Sequence, residues 1–152
     1  MKYVIEKEIS QDTIDQVYII THDYASDYFT ANFPNNMRID MRFQQAISLK
    51  EGSEVISCIV FTCLDGSPHI TLMVTKRNHS NKGYGKLLME YFIDHIAQLG
   101  LNSIELYTFS PETRSVYSST IIFYQNMGFK IERKYKDLWE EDTITLKMRK
   151  VW

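Results

Sequence analysis

Cysteine is scarce in this chain of 152 residues, which contains only two. Cys58 and Cys63 lie at an odd spacing on one predicted strand. They therefore fall on opposite faces, about 16 Å apart along it, and cannot bridge each other. We expect both thiols to be buried and reduced. Together with the lack of a recognisable signal peptide, this predicts a cytoplasmic protein.

Long apolar runs and an excess of charge of either sign are also missing. No apolar run approaches the roughly 20 residues that cross a membrane, so no membrane span is predicted. The formal net charge of −2 argues against a nucleic-acid-binding surface. The two cysteines and four histidines show no metal-ligand spacing, so we expect no metal site; the histidines are His22, His69, His79 and His95.

What the chain does contain is typical of a globular protein. Apolar residues make up 44% of it. A chain of this length can bury one good core, so residues 1–152 are predicted to form a single domain. We find no linker, repeat or low-complexity tract.

The middle of the chain predicts a βαβ unit. Pro68–Thr75 alternates apolar and polar residues, as a strand does. A polar loop follows, and from Tyr84 the period changes to that of a helix, which Gly100 ends. Ile104–Phe109 is the second strand, and such a unit makes its two strands parallel. The predicted inner stripe of the helix is Tyr84, Leu87, Leu88, Tyr91, Phe92, Ile96 and Leu99.

The start of that helix predicts an anion-binding site. A helix N-terminus presents unpaired backbone N–H groups and favours a negative charge. Gly83 and Gly85 lack the Cβ atoms that would keep a ligand away. Lys82, Lys86 and Arg77 add positive charge, so the segment suits a phosphate or pyrophosphate.

Two common phosphate motifs do not fit this segment. A Walker loop needs Gly-x-x-x-x-Gly-Lys-Ser/Thr, which is absent, and a dinucleotide fingerprint needs a third glycine where Leu88 stands. A second motif follows downstream, Phe123-Tyr124-Gln125-Asn126-Met127-Gly128-Phe129. If the protein bound an unrelated phosphate ligand through the first motif alone, the second motif would be a coincidence.

Together the two motifs resemble the GCN5-related N-acetyltransferase (GNAT) superfamily, over roughly Lys2 to Met148. In that family the loop reads Arg/Gln-x-x-Gly-x-Gly/Ala and its amides hold the pyrophosphate of acetyl-coenzyme A. Three positions depart from the family pattern: Ser80, Tyr117 and Thr120. The resemblance assigns the cofactor to Met73, Val74, Thr75, Ser80, Asn81, Lys82, Gly83, Tyr84, Gly85 and Lys86.

The resemblance also implies catalytic roles. It gives polarisation of the thioester carbonyl to a backbone N–H near Val74 or Thr75, and protonation of the leaving thiolate to Tyr124. The base is open. Some family members use Glu or His early in this strand; counting back from Gly83 without a gap gives His69, and a one-residue loop extension would give Pro68. Glu105 is the second candidate, and catalysis through water is the third.

The implied fold is α/β (α+β), with a mixed, mostly antiparallel sheet of about six or seven strands, about four helices and a central cofactor-binding βαβ unit. Ser10 is predicted to cap a first helix. The segment Asp23–Asn36 is predicted to be a short helix and then a loop at Pro34. The other predicted elements are a first strand from Lys2, strands at Phe43–Lys50, Val55–Leu64 and Thr143–Met148, a strand beginning at Phe129, and a helix at Ser118–Asn126 with Ile121, Ile122 and Tyr124 inward.

The implied function is transfer of an acetyl group from acetyl-coenzyme A to a primary amine of a small molecule or peptide, by direct attack in a ternary complex. The alternative is a non-catalytic sensor or regulatory module that binds coenzyme A or acyl-coenzyme A. No nucleic acid or membrane partner is expected. An exposed edge at the last strand would permit a homodimer.

Overall fold

The computed structural model describes residues 1–152 and contains seven strands, which confirms the predicted α/β class with a mostly antiparallel sheet. The strand order is β1-β2-β3-β4-β5-β7-β6. The elements are β1 (Lys2–Glu6), α1 (Gln11–Asp23), α2 (Ala25–Tyr28), α3 (Phe33–Asp40), β2 (Gln45–Glu51), β3 (Glu54–Leu64), β4 (Ser67–Thr75), α4 (Tyr84–Gln98), β5 (Ser103–Phe109), α5 (Tyr117–Asn126), β6 (Lys130–Lys136) and β7 (Ile144–Val151), with 3₁₀ turns at Met41–Phe43 and Arg77–His79.

The chain forms two compact units. The first comprises residues 1–62 and 71–95, and the second comprises residues 63–70 and 96–152. β4 therefore contributes its first residues to the second unit and its remainder to the first. None of the helices combines the length and the hydropathy that a membrane span needs.

In the first unit, α1 packs its apolar face into a core with β2, β3 and β4. The Ser10 hydroxyl accepts a hydrogen bond from the Thr13 N–H at 3.2 Å, which confirms the predicted N-cap. The core that these elements share consists of Ile9, Ile14, Val17, Ile20, Met37, Met41, Ala46, Val55, Cys58, Val60, Leu72 and Val74. β1 pairs antiparallel with β2 and forms one edge of the sheet.

Three predictions about the first unit were wrong. The loop predicted at Pro34 is the start of α3, because proline is favoured in the first turn of a helix, where no N–H partner is needed. On α4, Leu87 is 46% exposed, whereas Met89, absent from the predicted stripe, is buried. This helix carries apolar residues around more than half of its circumference, so periodicity alone left its orientation open.

Further corrections concern the second unit. Leu99 is exposed, because it follows the last turn of α4, which ends through Gly100 at φ 84°. Cys63 is exposed beside a turn, whereas Cys58 is buried, so only one thiol is in the core. On α5, Ile121 is buried but Ile122 is 56% exposed.

The sheet of the second unit is ordered differently from the chain. β7 lies between β5 and β6 and pairs antiparallel with both. The exposed edge is therefore β6, and the prediction of an edge at the last strand was wrong. The first residues of β4 pair parallel with β5, at His69 with Glu105 and Ile70 with Leu106, which confirms the parallel βαβ unit.

Candidate active site

The segment Lys76–Lys86, which comprises the loop between β4 and α4 and the first three residues of α4, is called the phosphate loop below. Its backbone turns through two left-handed residues, Asn81 at φ 59° and Gly83 at φ 86°. The Gly83 carbonyl accepts the Leu87 N–H at 3.1 Å, so Gly83 begins the hydrogen bonding of α4. A Cβ added to Gly83 would meet no atom within 4 Å. The side of the loop next to the first α4 amides is therefore open, as an anion-binding helix N-terminus requires.

Most of the positive side chains near the loop have carboxylate partners. Arg77 lies 3.5 Å from the carboxylates of both Asp23 and Asp27. Lys76 forms an ion pair with Glu54. The Arg77 charge is therefore already balanced, and Lys86 also lies 3.9 Å from a carboxylate, that of Glu90.

Arg77 also anchors the loop to the junction of α1 and α2. Its guanidinium donates to the Asp23 carbonyl at 2.8 Å and lies 4.3 Å from the centre of the Tyr24 ring. Burial raises the pKa of the Tyr24 phenol, against the opposing effect of Arg77, and its hydroxyl donates to the Thr75 carbonyl at 2.8 Å. Ser80 closes the turn by donating to the Arg77 carbonyl at 2.7 Å. Ser80 departs from the family pattern, and its hydroxyl stabilises the turn of the loop.

Along one edge, the end of β4 forms hydrogen bonds with residues of β3. Its other edge points away from β3. The Lys76 N–H donates to the Ile56 carbonyl at 2.9 Å, and the Ser57 hydroxyl donates to the Val74 carbonyl at 3.1 Å. Neighbouring residues of a strand point their N–H groups to opposite edges. Thr75 therefore presents its N–H at the edge away from β3, whereas Val74 faces β3.

Tyr124 lies in the second unit, on the inner side of α5. It is 8% exposed, and its ring makes edge contacts with Phe123 and Phe129 at 5.4 and 5.6 Å between centroids. Burial, with a smaller effect of Tyr117, raises the pKa of the Tyr124 phenol. Burial therefore favours the neutral phenol, whose hydroxyl can act as a hydrogen-bond donor.

The two sequence candidates for the base lie together in the second unit. His69 Nε2 is 3.1 Å from Glu105 Oε2. Glu105 is buried and also contacts Lys147 Nζ at 3.7 Å and the Arg149 guanidinium at 3.5 Å. Burial would lower the pKa of Lys147, but the carboxylates of Glu132 and Glu105 raise it overall.

Sequence reasoning missed several of these partners. Tyr24, Lys147 and Arg149 carry no motif of their own, and their partners are remote in the chain. One signal was present: Lys147 and Arg149 share one face of β7, because alternate residues of a strand do so. No group of three or more histidine, cysteine, aspartate and glutamate side chains is arranged to hold a metal ion.

Comparisons with known proteins identify a family and a fold. The family model described as "Acetyltransferase (GNAT) domain" matches residues 44–131, more than half of the chain. A search of curated proteins found no significant match. Among solved structures, a GNAT-family protein from Desulfovibrio desulfuricans has a TM-score of 0.84 at 12% identity, covering 99% of both chains.

Two further structures have named substrates. An aminoglycoside 6′-N-acetyltransferase complexed with coenzyme A has a TM-score of 0.78 at 14% identity, covering 99% of this chain and 97% of that one. The ribosomal-protein-S18-alanine N-acetyltransferase from Escherichia coli has a TM-score of 0.70 at 12% identity, covering 99% and 94%. At such identities the similarity shows the fold.

Proposed function

Because the chain belongs to the GNAT acetyltransferase family, we propose that it transfers the acetyl group of acetyl-coenzyme A to a primary amine of a small molecule or peptide. The observation that carries this proposal is the open helix N-terminus at Gly83, with its left-handed backbone and free Cβ side. Neighbours of the same fold acetylate aminoglycosides and a protein alanine, so both small and peptide amines stay open as acceptors.

The cofactor would lie along the end of β4 and on the phosphate loop. The amides from Gly83 to Lys86 suit its pyrophosphate, because unpaired N–H groups and the helix dipole both favour an anion. The N–H of Thr75 suits the thioester carbonyl, because it points away from β3 and so is the better of the two predicted donors. The same resemblance puts Met73 and Val74 beside the cofactor and Ser80 to Lys82 in the turn.

The chemistry is a direct attack in a ternary complex. The amine nitrogen forms a bond to the thioester carbon and the carbon–sulfur bond breaks. One amine proton passes through water to a base, for which His69 is our candidate, because about 20 Å of strand separates His69 from Thr75. Tyr124 acts on the leaving sulfur. A free thiol has a pKa near 8.5, far below that of a buried phenol, so complete proton transfer from Tyr124 is uphill. Its hydroxyl therefore stabilises the sulfur by a hydrogen bond.

Replacing Tyr124 tests this role. Tyr124→Phe removes only the hydroxyl, so we expect kcat to fall by about 10²-fold while the Kd of acetyl-coenzyme A, measured by calorimetry, stays the same. Tyr117→Phe, on the same helix and equally buried, is the matched control and should keep most of the activity. An equal loss of cofactor affinity and turnover in Tyr124→Phe would contradict the catalytic assignment.

A non-catalytic module that binds coenzyme A is the second candidate. The departures at Ser80, Tyr117 and Thr120 favour it, because they remove side chains that the family uses. Calorimetric titration with acetyl-coenzyme A, dephospho-coenzyme A and ATP tests the cofactor first. Binding that weakens without the 3′-phosphate supports coenzyme A, and thiol release with a panel of amines then separates an enzyme from a sensor. Binding of ATP alone would contradict both candidates.

We also propose that the protein acts in the cytoplasm as a single domain, without a metal ion. We expect any homodimer to form through a surface other than β6, because the exposed edge of β6 is charged. Sedimentation velocity at several protein concentrations measures that state.

A further inference from the structure

His69 and Glu105 occupy matching positions on two parallel strands. They face each other in the register of β4 and β5, so their side chains lie on the same face of the sheet. The Nε2 atom of His69 approaches Oε2 of Glu105 to 3.1 Å. The two residues are thus a pair rather than two independent candidates for one role.

The charges around Glu105 balance without a contribution from His69. Lys147 and Arg149 each contact both Glu105 and Glu132, which gives two positive and two negative groups. A buried carboxylate needs such partners, because an unpaired buried charge is costly. Glu105 therefore has its charge partners on β7, and its Oε2 atom can in addition accept a hydrogen bond from Nε2 of His69.

The orientation of the imidazole is set from two sides. Its ring is nearly parallel to that of Tyr107, with 8° between the planes and 6.2 Å between the centroids. Its Nε2 atom faces Glu105, so the neutral ring carries its proton there and its lone pair on Nδ1. The side chain of His69 is 19% exposed against 9% for Glu105, so the histidine is the more accessible of the two.

We propose that Glu105 is a positioning residue, which fixes the Nε2–H form of His69 and leaves Nδ1 to receive the proton of the acceptor amine through water. This inference rests on the proposed function. In the step, the amine N–H bond breaks and its proton joins Nδ1, while the nitrogen forms the amide and the thioester sulfur leaves. Glu105 stabilises the resulting imidazolium and is not itself the base.

The first test needs no substrate. Long-range ¹H–¹⁵N spectra of the labelled protein distinguish the two neutral forms of a histidine. We expect the Nε2–H form for His69 in the native protein and a mixture of forms in Glu105→Gln. Glu132→Gln is the matched control, because Glu132 shares both cations but does not contact His69, and it should leave the Nε2–H form unchanged. An Nδ1–H form in the native protein, or no change in Glu105→Gln, would overturn the proposal.

The second test is kinetic, with butylamine as the acceptor because its amine must lose a proton before it attacks. We expect Glu105→Gln to lower kcat by about 10-fold or more with an unchanged KM for acetyl-coenzyme A, and Glu105→Asp to restore part of the rate. His69→Gln should lower kcat by at least as much as Glu105→Gln does. The groups that face this pair are Tyr107 on β5, Lys147 and Arg149 on β7, and Glu132 on β6, and circular dichroism verifies that each variant is folded.

The two hypotheses fail differently. A native rate that survives Glu105→Gln refutes the positioning role alone. A native protein that binds acetyl-coenzyme A but never turns over butylamine or any amine of the panel refutes the proposed function and the inference with it.

Discussion

Gly128 ends α5, and the effect of its replacement on the free energy of unfolding can be worked out directly from the structure. It has φ 94°, and its N–H and that of Phe129 close the helix by donating to the carbonyls of Gln125 and Tyr124. A Cβ at this position would overlap the ammonium group of Lys150. That group donates to the Met127 carbonyl at 2.9 Å, so Gly128→Ala must displace it.

Two terms add to the cost of Gly128→Ala. Alanine in the left-handed conformation destabilises the folded state by about 1–2 kcal/mol. Alanine also lowers the conformational entropy of the unfolded chain relative to glycine, which offsets about 0.5 kcal/mol of that loss. Losing the half-buried charge-assisted hydrogen bond from Lys150 adds about 1–2 kcal/mol. We therefore expect a loss of about 2–3 kcal/mol in the free energy of unfolding, or a fall of about 6–9 °C in Tm for a chain of this size.

Gly100 provides a matched control, because it ends α4 through the same pair of hydrogen bonds. Its φ is 84°, and nothing lies within 4 Å of an added Cβ. Gly100→Ala should therefore cost only about 1 kcal/mol in urea denaturation. In a Lys150→Met background, which removes the ammonium, Gly128→Ala should cost about the same as Gly100→Ala. Equal costs of the two alanine variants in the native background would refute the role given to Lys150.

Two further predictions concern hydrogen bonding. The hydroxyl of Thr145 is buried without a hydrogen-bond partner. Thr145→Val, which keeps the shape of the side chain, should therefore raise the free energy of unfolding by about 1 kcal/mol in urea denaturation. A decrease of that size would mean that the hydroxyl has a hydrogen-bond partner. Burial acts to raise the pKa of Glu6, but hydrogen bonds from the Ser10 N–H and the Thr13 hydroxyl outweigh it and lower that pKa. The stabilisation is therefore present above the unfolded pKa of about 4.5 and is lost as the pH falls through the lower folded value. Glu6→Gln should cost about 1 kcal/mol at pH 7 and progressively less below about pH 4.5, whereas exposed Glu8→Gln should cost little at either pH; a cost independent of pH would contradict the assignment.

The sequence predicted the parts of the molecule whose causes are local. Gly100 was recognised because a left-handed residue at the end of a helix has few alternatives to glycine, and its φ is positive. Gly83 was recognised because it lacks a Cβ at a helix N-terminus, and its φ is positive as well. The strand pattern of Pro68–Thr75 and the Ser10 cap depend on neighbours a few residues away. The two parallel strands that carry His69 and Glu105 were predicted, but the pairing of these residues was not, because the register of the strands has no local signal.

What the sequence could not supply depends on contacts between remote segments. Arg77 was assigned to the phosphate, but its partners Asp23 and Asp27 lie about 50 positions earlier in the chain. The exposure of Leu87 depends on how α4 is rotated against its sheet, and a helix that is apolar around more than half of its circumference permits several rotations. The order β5-β7-β6 depends on which strand occupies the free edge of β5, which no local pattern reports.

The sheet edge formed by β6 also limits how this protein can associate with itself. Five of its seven residues, Lys130, Glu132, Arg133, Lys134 and Lys136, are charged and exposed. Two copies paired antiparallel about Arg133 would set that residue opposite itself and Lys130 opposite Lys136. Like charges placed directly opposite each other destabilise a strand pair, and charged edges resist the addition of another strand. The same lysines and arginine that leave this edge open to solvent therefore keep the sheet from growing from one molecule to the next.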